Sequence, residues 1–82
     1  MEIDERQLTF GEKLVGLNFN PSADDKVGRA KQLFAEAADL LNAHAIEQNM
    51  NGNPFQKRMF DNAVGEVLNA QMNVVKVLTL KY

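Results

Sequence analysis

The chain contains no cysteine, so no disulfide, thiolate metal site or cysteine nucleophile is available to it. It contains one histidine, His44. A multi-histidine metal centre is thereby excluded, and any serine–histidine relay would have to run through that single imidazole. Cationic excess is missing as well. Eleven acidic against nine basic side chains leave a net charge of −2, which argues against a surface that coats duplex DNA but leaves room for a local anion pocket. No window has the charged start, apolar middle and small-residue cleavage site of a signal peptide. The longest nearly apolar run, Val74 to Leu80, is broken by Lys76 and Thr79 and falls far short of the roughly 20 residues of a membrane span. Neither a repeat nor a low-complexity tract occurs. These absences predict a soluble intracellular protein with no membrane association.

What is present is an unusually apolar last third. At 82 residues the chain is one domain, and alone it buries only about 60% of its unfolded surface. Phe60, Val64, Val67, Gln71, Val74 and Leu78 follow the alternating spacing of four and three that marks a packed helical seam. Leu68, Met72 and Val75 lie on one side of that seam, Ala63, Ala70 and Val77 on the other. The polar line is narrow: Asn62, Glu66, Asn69, Asn73, Lys76. So wide an apolar arc needs more cover than one partner helix gives, which predicts self-association.

Thr9-Phe10-Gly11-Glu12 has the form of a capping box, and Gly16 is placed to end the helix it starts. Leu17 to Ser22 reads as an extended link, because Asn20 precedes Pro21. Ser22-Ala23-Asp24-Asp25 is a second capping box, opening a long helix with a seam of Val27, Ala30, Phe34, Ala37, Leu41 and His44. Leu33 and Leu40 flank that seam on one side, Ala38 and Ala45 on the other. Gln32, Glu36, Asp39 and Ala43 form its outer face. Asn51-Gly52-Asn53-Pro54 is a turn with proline at the first position of the next helix. Two long helices joined this closely are antiparallel neighbours. The predicted architecture is all-α and a single domain. A flexible segment 1–7 and a short helix 10–15 precede long helices 23–48 and 54–80, which pair as a hairpin that assembles into a homo-oligomer.

Catalytic equipment is sparse. Gly11 to Gly16 has two glycines at phosphate-loop spacing, but Leu17-Asn18 stand where lysine and a hydroxyl residue are needed. Glu36 and Asp39 share a helix face, and no Glu-x-x-His pair supports a metal there. A solvated face explains them better. No catalytic residue, metal site or cofactor is predicted. Cations do gather after the link: Lys26, Arg29 and Lys31 occupy the first turns of the long helix, behind Phe19-Asn20-Pro21. An aromatic loop residue, an amide, lysines and a helix start are the ingredients for holding a base and its phosphate. The alternative is that Phe19 plugs one end of the core while the cations offset Asp24 and Asp25. Lys57 and Arg58 allow the same two readings. Gln71 and Asn73 could pair across an interface and fix its register.

Two blocks of sequence carry a resemblance. The first is Thr9-Phe10-Gly11-Glu12-Lys13, Val15-Gly16-Leu17 and Phe19-Asn20-Pro21-Ser22, followed by Val27, Lys31 and Phe34. The second is Asn69-Ala70-Gln71-Met72, Val74-Val75-Lys76 and Leu78-Thr79. Together they resemble the small phage proteins that share the anti-CBASS and anti-Thoeris helical hairpin domain. The similarity runs from Thr9 to the last residue and breaks down at the Asn49 to Asn53 turn. It implies a non-enzymatic nucleotide sponge in the host cell cytoplasm, a homohexamer of interlocked hairpins. Such a sponge captures cyclic dinucleotides such as cGAMP, and cyclic trinucleotides, so that the messenger of bacterial immunity never reaches its effector. By position Phe19 and Asn20 match the aromatic and asparagine that stack on and hold a base, with Pro21 beside them. The family's lysine aligns near Phe34, with Lys31 one turn earlier on a similar face; Lys26 joins the candidate site from the cation cluster at the helix start. Arg58 is the candidate for the family's arginine early in the last helix. A structural or adaptor oligomer that binds a partner helix is the competing expectation.

Overall fold

The computed structural model describes residues 7–17 and 24–80. The flexibility expected of residues 1–6, the link through Phe19-Asn20-Pro21 and the Ser22 cap therefore lie outside the described residues. Among those described, the chain is all-helical: α1 (Phe10–Val15), α2 (Asp25–Glu47) and α3 (Pro54–Thr79), with one 3-10 turn, Met50–Gly52, between the long helices.

Each boundary has a local cause. Thr9 Oγ1 accepts from the Glu12 amide at 3.1 Å, and the Glu12 carboxylate accepts from the Thr9 amide at 2.9 Å, so the predicted capping box is complete. Gly16 ends α1 at φ 64°, ψ 56°. The Leu17 amide reaches the Glu12 carbonyl at 3.0 Å and the Gly16 amide reaches Lys13 at 3.2 Å, the paired bonds of a glycine-terminated helix. α2 starts two residues later than the sequence suggests. Its cap is Asp24, whose carboxylate accepts from the Lys26 amide at 2.7 Å. At the hairpin loop Asn49 takes the left-handed conformation, φ 51°, which asparagine tolerates better than most residues. Asn53 then caps α3 through the Gln56 amide at 3.1 Å, with Pro54 in the first turn.

The α3 seam lies where the spacing puts it, with Gln71 at its most buried point and Val74 at its margin. The α2 seam does not. Ala30, Ala35 and Ala38 are buried with Val27, whereas Ala37 and His44 are exposed. The seam is turned toward Ala38 because α1 lies along that flank and buries residues that a lone hairpin would leave open. Gly11 makes the approach possible: a Cβ built there overlaps the Ala35 carbonyl oxygen and stands 2.8 Å from its carbon. Phe10 reaches over to Phe60 of α3, ring centroids 6.1 Å apart, within the range of a favourable aromatic pair.

The buried interior consists largely of alanines, and no large side chain among the described residues is fully buried. Leu33, Ala37 and Leu40 on α2, and Met59, Ala70, Val74 and Val77 on α3, are exposed. At about 100° per residue, these positions lie opposite the Ala35, Asp39, Leu68 and Met72 flanks that meet α1. One broad side of the hairpin thus carries α1, and the other is bare and apolar. Ionisable groups on that side include Glu66, Lys26 at the start of α2 and, near the loop, His44 and Glu47.

Gly11→Ala should lower stability by about 1–3 kcal/mol in urea unfolding, because the backbone of α2 must move. Gly65→Ala, where a Cβ would meet nothing within 4 Å, should raise it by about 0.5–1 kcal/mol.

Candidate functional site

The polar chemistry of the molecule gathers at the two ends of α1. At its start, Asp39 accepts from the Thr9 hydroxyl at 2.7 Å and from the Gly11 amide at 2.6 Å. At its end, Lys31 Nζ donates to the Gly16 carbonyl at 3.0 Å. The carboxylate faces the positive end of the helix and the ammonium the negative end, so both charges act with the helix dipole. Asp39 and Lys31 are eight residues apart on α2, about 12 Å at 1.5 Å per residue, and α1 spans six residues or about 9 Å. The slightly longer spacing on α2 accommodates the caps Thr9 and Gly16 at the two ends of α1, and α1 runs antiparallel to α2.

Asp39 is therefore no solvated outer-face residue, as its neighbours Glu36 and Ala43 are. Local pattern alone gave no sign of this, because its partners lie 28 and 30 positions away. The one available hint was an acid and a base on α2 separated by the length of the capped hexapeptide. Lys31 is likewise turned from a surface cation into a structural one, 5% exposed. Burial strips water from its ammonium and lowers its pKa from the ordinary 10.5.

Lys31 also borders an open cavity of about 370 Å³ under the C-terminal half of α1. Leu14, Val15, Leu68, Met72 and Val75 form its apolar walls; Lys13, Lys31, Gly16 and Gln71 supply its polar atoms. Gln71 is 4% exposed, and no hydrogen bond ties its amide to another described residue.

The remaining sequence candidates fall in two places. Lys26 and Arg29 are exposed on the first turns of α2, beside the Asp24 cap. Arg58 is exposed at the start of α3, next to Lys57, which pairs with Asp61 at 2.9 Å. In an antiparallel hairpin these are opposite ends, separated by roughly 25 Å or more along α2. One chain does not bring Lys26 and Arg58 together. Phe19, Asn20 and Pro21 lie outside the described residues. Among the described residues no group of three His, Cys, Asp or Glu side chains could hold a metal, and no helix is long and apolar enough to cross a membrane. No protein family model, curated protein or solved structure matches the chain.

The lowered pKa of Lys31 sets the sign of a pH effect. Below its folded-state pKa the group is charged in both states, and burial costs stability. Between that value and 10.5 the unfolded chain binds the extra proton, so stability rises with pH. Denaturation at increasing pH should therefore show wild type gaining on Lys31→Met from neutral pH toward 10.5. A constant difference would mean that Lys31 is not desolvated.

Proposed function

We propose that this chain is a homo-oligomeric sponge that binds cyclic dinucleotides and trinucleotides of bacterial anti-phage defence and sequesters them without cleavage, in the host cell cytoplasm. The observation that carries the reading is the exposed cationic start of α2. Lys26 and Arg29 stand there directly after Phe19-Asn20-Pro21, the motif that resembles the anti-CBASS and anti-Thoeris hairpin proteins. The start of a long helix adds free amides and a positive dipole end suited to phosphate. Phe19 stacks on a base, Asn20 holds its edge, and Lys26 meets the phosphate. Lys31 acts through α1 rather than on the ligand, since its ammonium already holds the Gly16 carbonyl.

Assembly is part of the same reading. The bare face of the hairpin, with Leu40 72% and Val77 68% exposed, is too apolar to stay in water, and a second hairpin is the cover that matches it in length and pattern. Copies stacked there bring helix ends of different chains together. A pocket that needs both Lys26 and Arg58 is then closed by two subunits, up to a hexamer. The same face also favours a second reading, an adaptor oligomer that takes a partner protein's helix into its apolar seam.

Titration calorimetry against a panel of cyclic dinucleotides and trinucleotides tests the first reading. Phe19→Ala should weaken binding by about tenfold or more, the worth of one stacked base, with subunit number by light scattering unchanged. Unchanged affinity with lowered thermal stability would make Phe19 a packing plug and favour the adaptor. Leu40→Glu combined with Val77→Glu should reduce the assembly to single chains, and a monomeric wild type would overturn the assembly.

A further inference from the structure

The cavity under α1 lies apart from the exposed start of α2 and from Arg58, and the sponge reading gives it no task. Its walls, Leu14, Val15, Leu68, Met72 and Val75, are apolar. At about 370 Å³ it has the size of a small-ligand site, for which roughly 300–1,000 Å³ is usual. Two ammonium groups, Lys13 and Lys31, border it and, among the described residues, no acidic side chain lines it, so the described lining favours an anion. Inside sits the Gln71 amide, 4% exposed and tied by no hydrogen bond to another described residue. No fully buried side-chain nitrogen or oxygen among the described residues lacks a partner, so the Gln71 amide still meets solvent through the open cavity and has its hydrogen-bonding capacity to offer a ligand.

The donor set limits the anion. A phosphate carries up to two charges on three or more oxygens and needs several donors. Here one of the two ammonium groups already serves the Gly16 carbonyl. A carboxylate carries one charge on two oxygens, and the Gln71 NH2 together with one ammonium satisfies both. We propose that the cavity between α1, Lys31 and Gln71 is a binding site for a small monocarboxylate with an apolar tail. The carboxylate lies between Gln71 and the Lys13 ammonium, and the tail lies against Leu68, Met72 and Val75. Binding there also fills the space under the C-terminal half of α1 and holds that helix on the hairpin.

Octanoate is the probe, titrated into the full chain and followed by amide proton–nitrogen correlation spectra. Saturable shifts should be confined to residues 13–16, 31 and 68–75. Octanol, with the same tail and no charge, should bind about tenfold more weakly. Gln71→Leu keeps the side-chain volume and should keep the spectrum dispersed while losing about tenfold in affinity. No saturable shift, equal affinity of Gln71→Leu, or shifts centred on Leu33, Leu40 and Val77 would overturn the proposal. The last result would mean that the tail merely coats the bare face.

Discussion

Two opposite charges, Asp39 and Lys31, hold the ends of one short helix, and the rest of the molecule is arranged by that constraint. A six-residue helix has no stability of its own in water. Here its start is fixed by a carboxylate that accepts from both Thr9 and Gly11, and its end by an ammonium on the Gly16 carbonyl. Hydrogen bonds to charged groups of this kind contribute about 1.5–3 kcal/mol each. With both ends held, the glycine at position 11 can press on Ala35, and Phe10 is carried to Phe60. The burial of Ala35 and Ala38, and the rotation of the α2 seam, follow from this placement.

The same constraint decides which side of the hairpin is finished. α1 covers one broad side and leaves Leu33, Leu40, Val74 and Val77 on the other. A core built mostly of alanine allows the helices to approach closely but removes little apolar area from water, so large side chains such as Leu40, Phe55 and Val77 stay at the surface. In the sponge reading that surface is used twice. It joins copies of the chain, and by joining them it brings together the separated ends that carry Lys26 and Arg58. In that account binding arises from arrangement, with rigid elements presenting groups in place rather than reacting with the ligand.

Elements whose cause lies within a few residues were legible in the sequence. Thr9 with Glu12, Gly16, and the Asn49 to Pro54 turn each gave a boundary that the structure keeps to within a residue or two. The phase of α3 was legible because its large apolar residues repeat without interruption. The phase of α2 was not, since Ala30, Ala35, Ala37, Ala38, Ala43 and Ala45 surround the helix and mark no face. What turned it was α1, a tertiary neighbour. Asp39 and Lys31 escaped for a related reason: a charged residue on a helix reads as solvated until something is known to pack over it. The motif at Phe19, by contrast, was legible only through resemblance, because an aromatic before a proline has many uses.

Sequestration without chemistry is the centre of the account, and recovery of the ligand tests it most directly. The protein is incubated with a cyclic dinucleotide below the concentration of chains, the free nucleotide is measured after filtration, and the protein is then heat-denatured. The account predicts that free nucleotide nearly disappears and that the whole amount returns intact on denaturation. Nucleotide that stays free throughout, or that returns as a linear product, would contradict it.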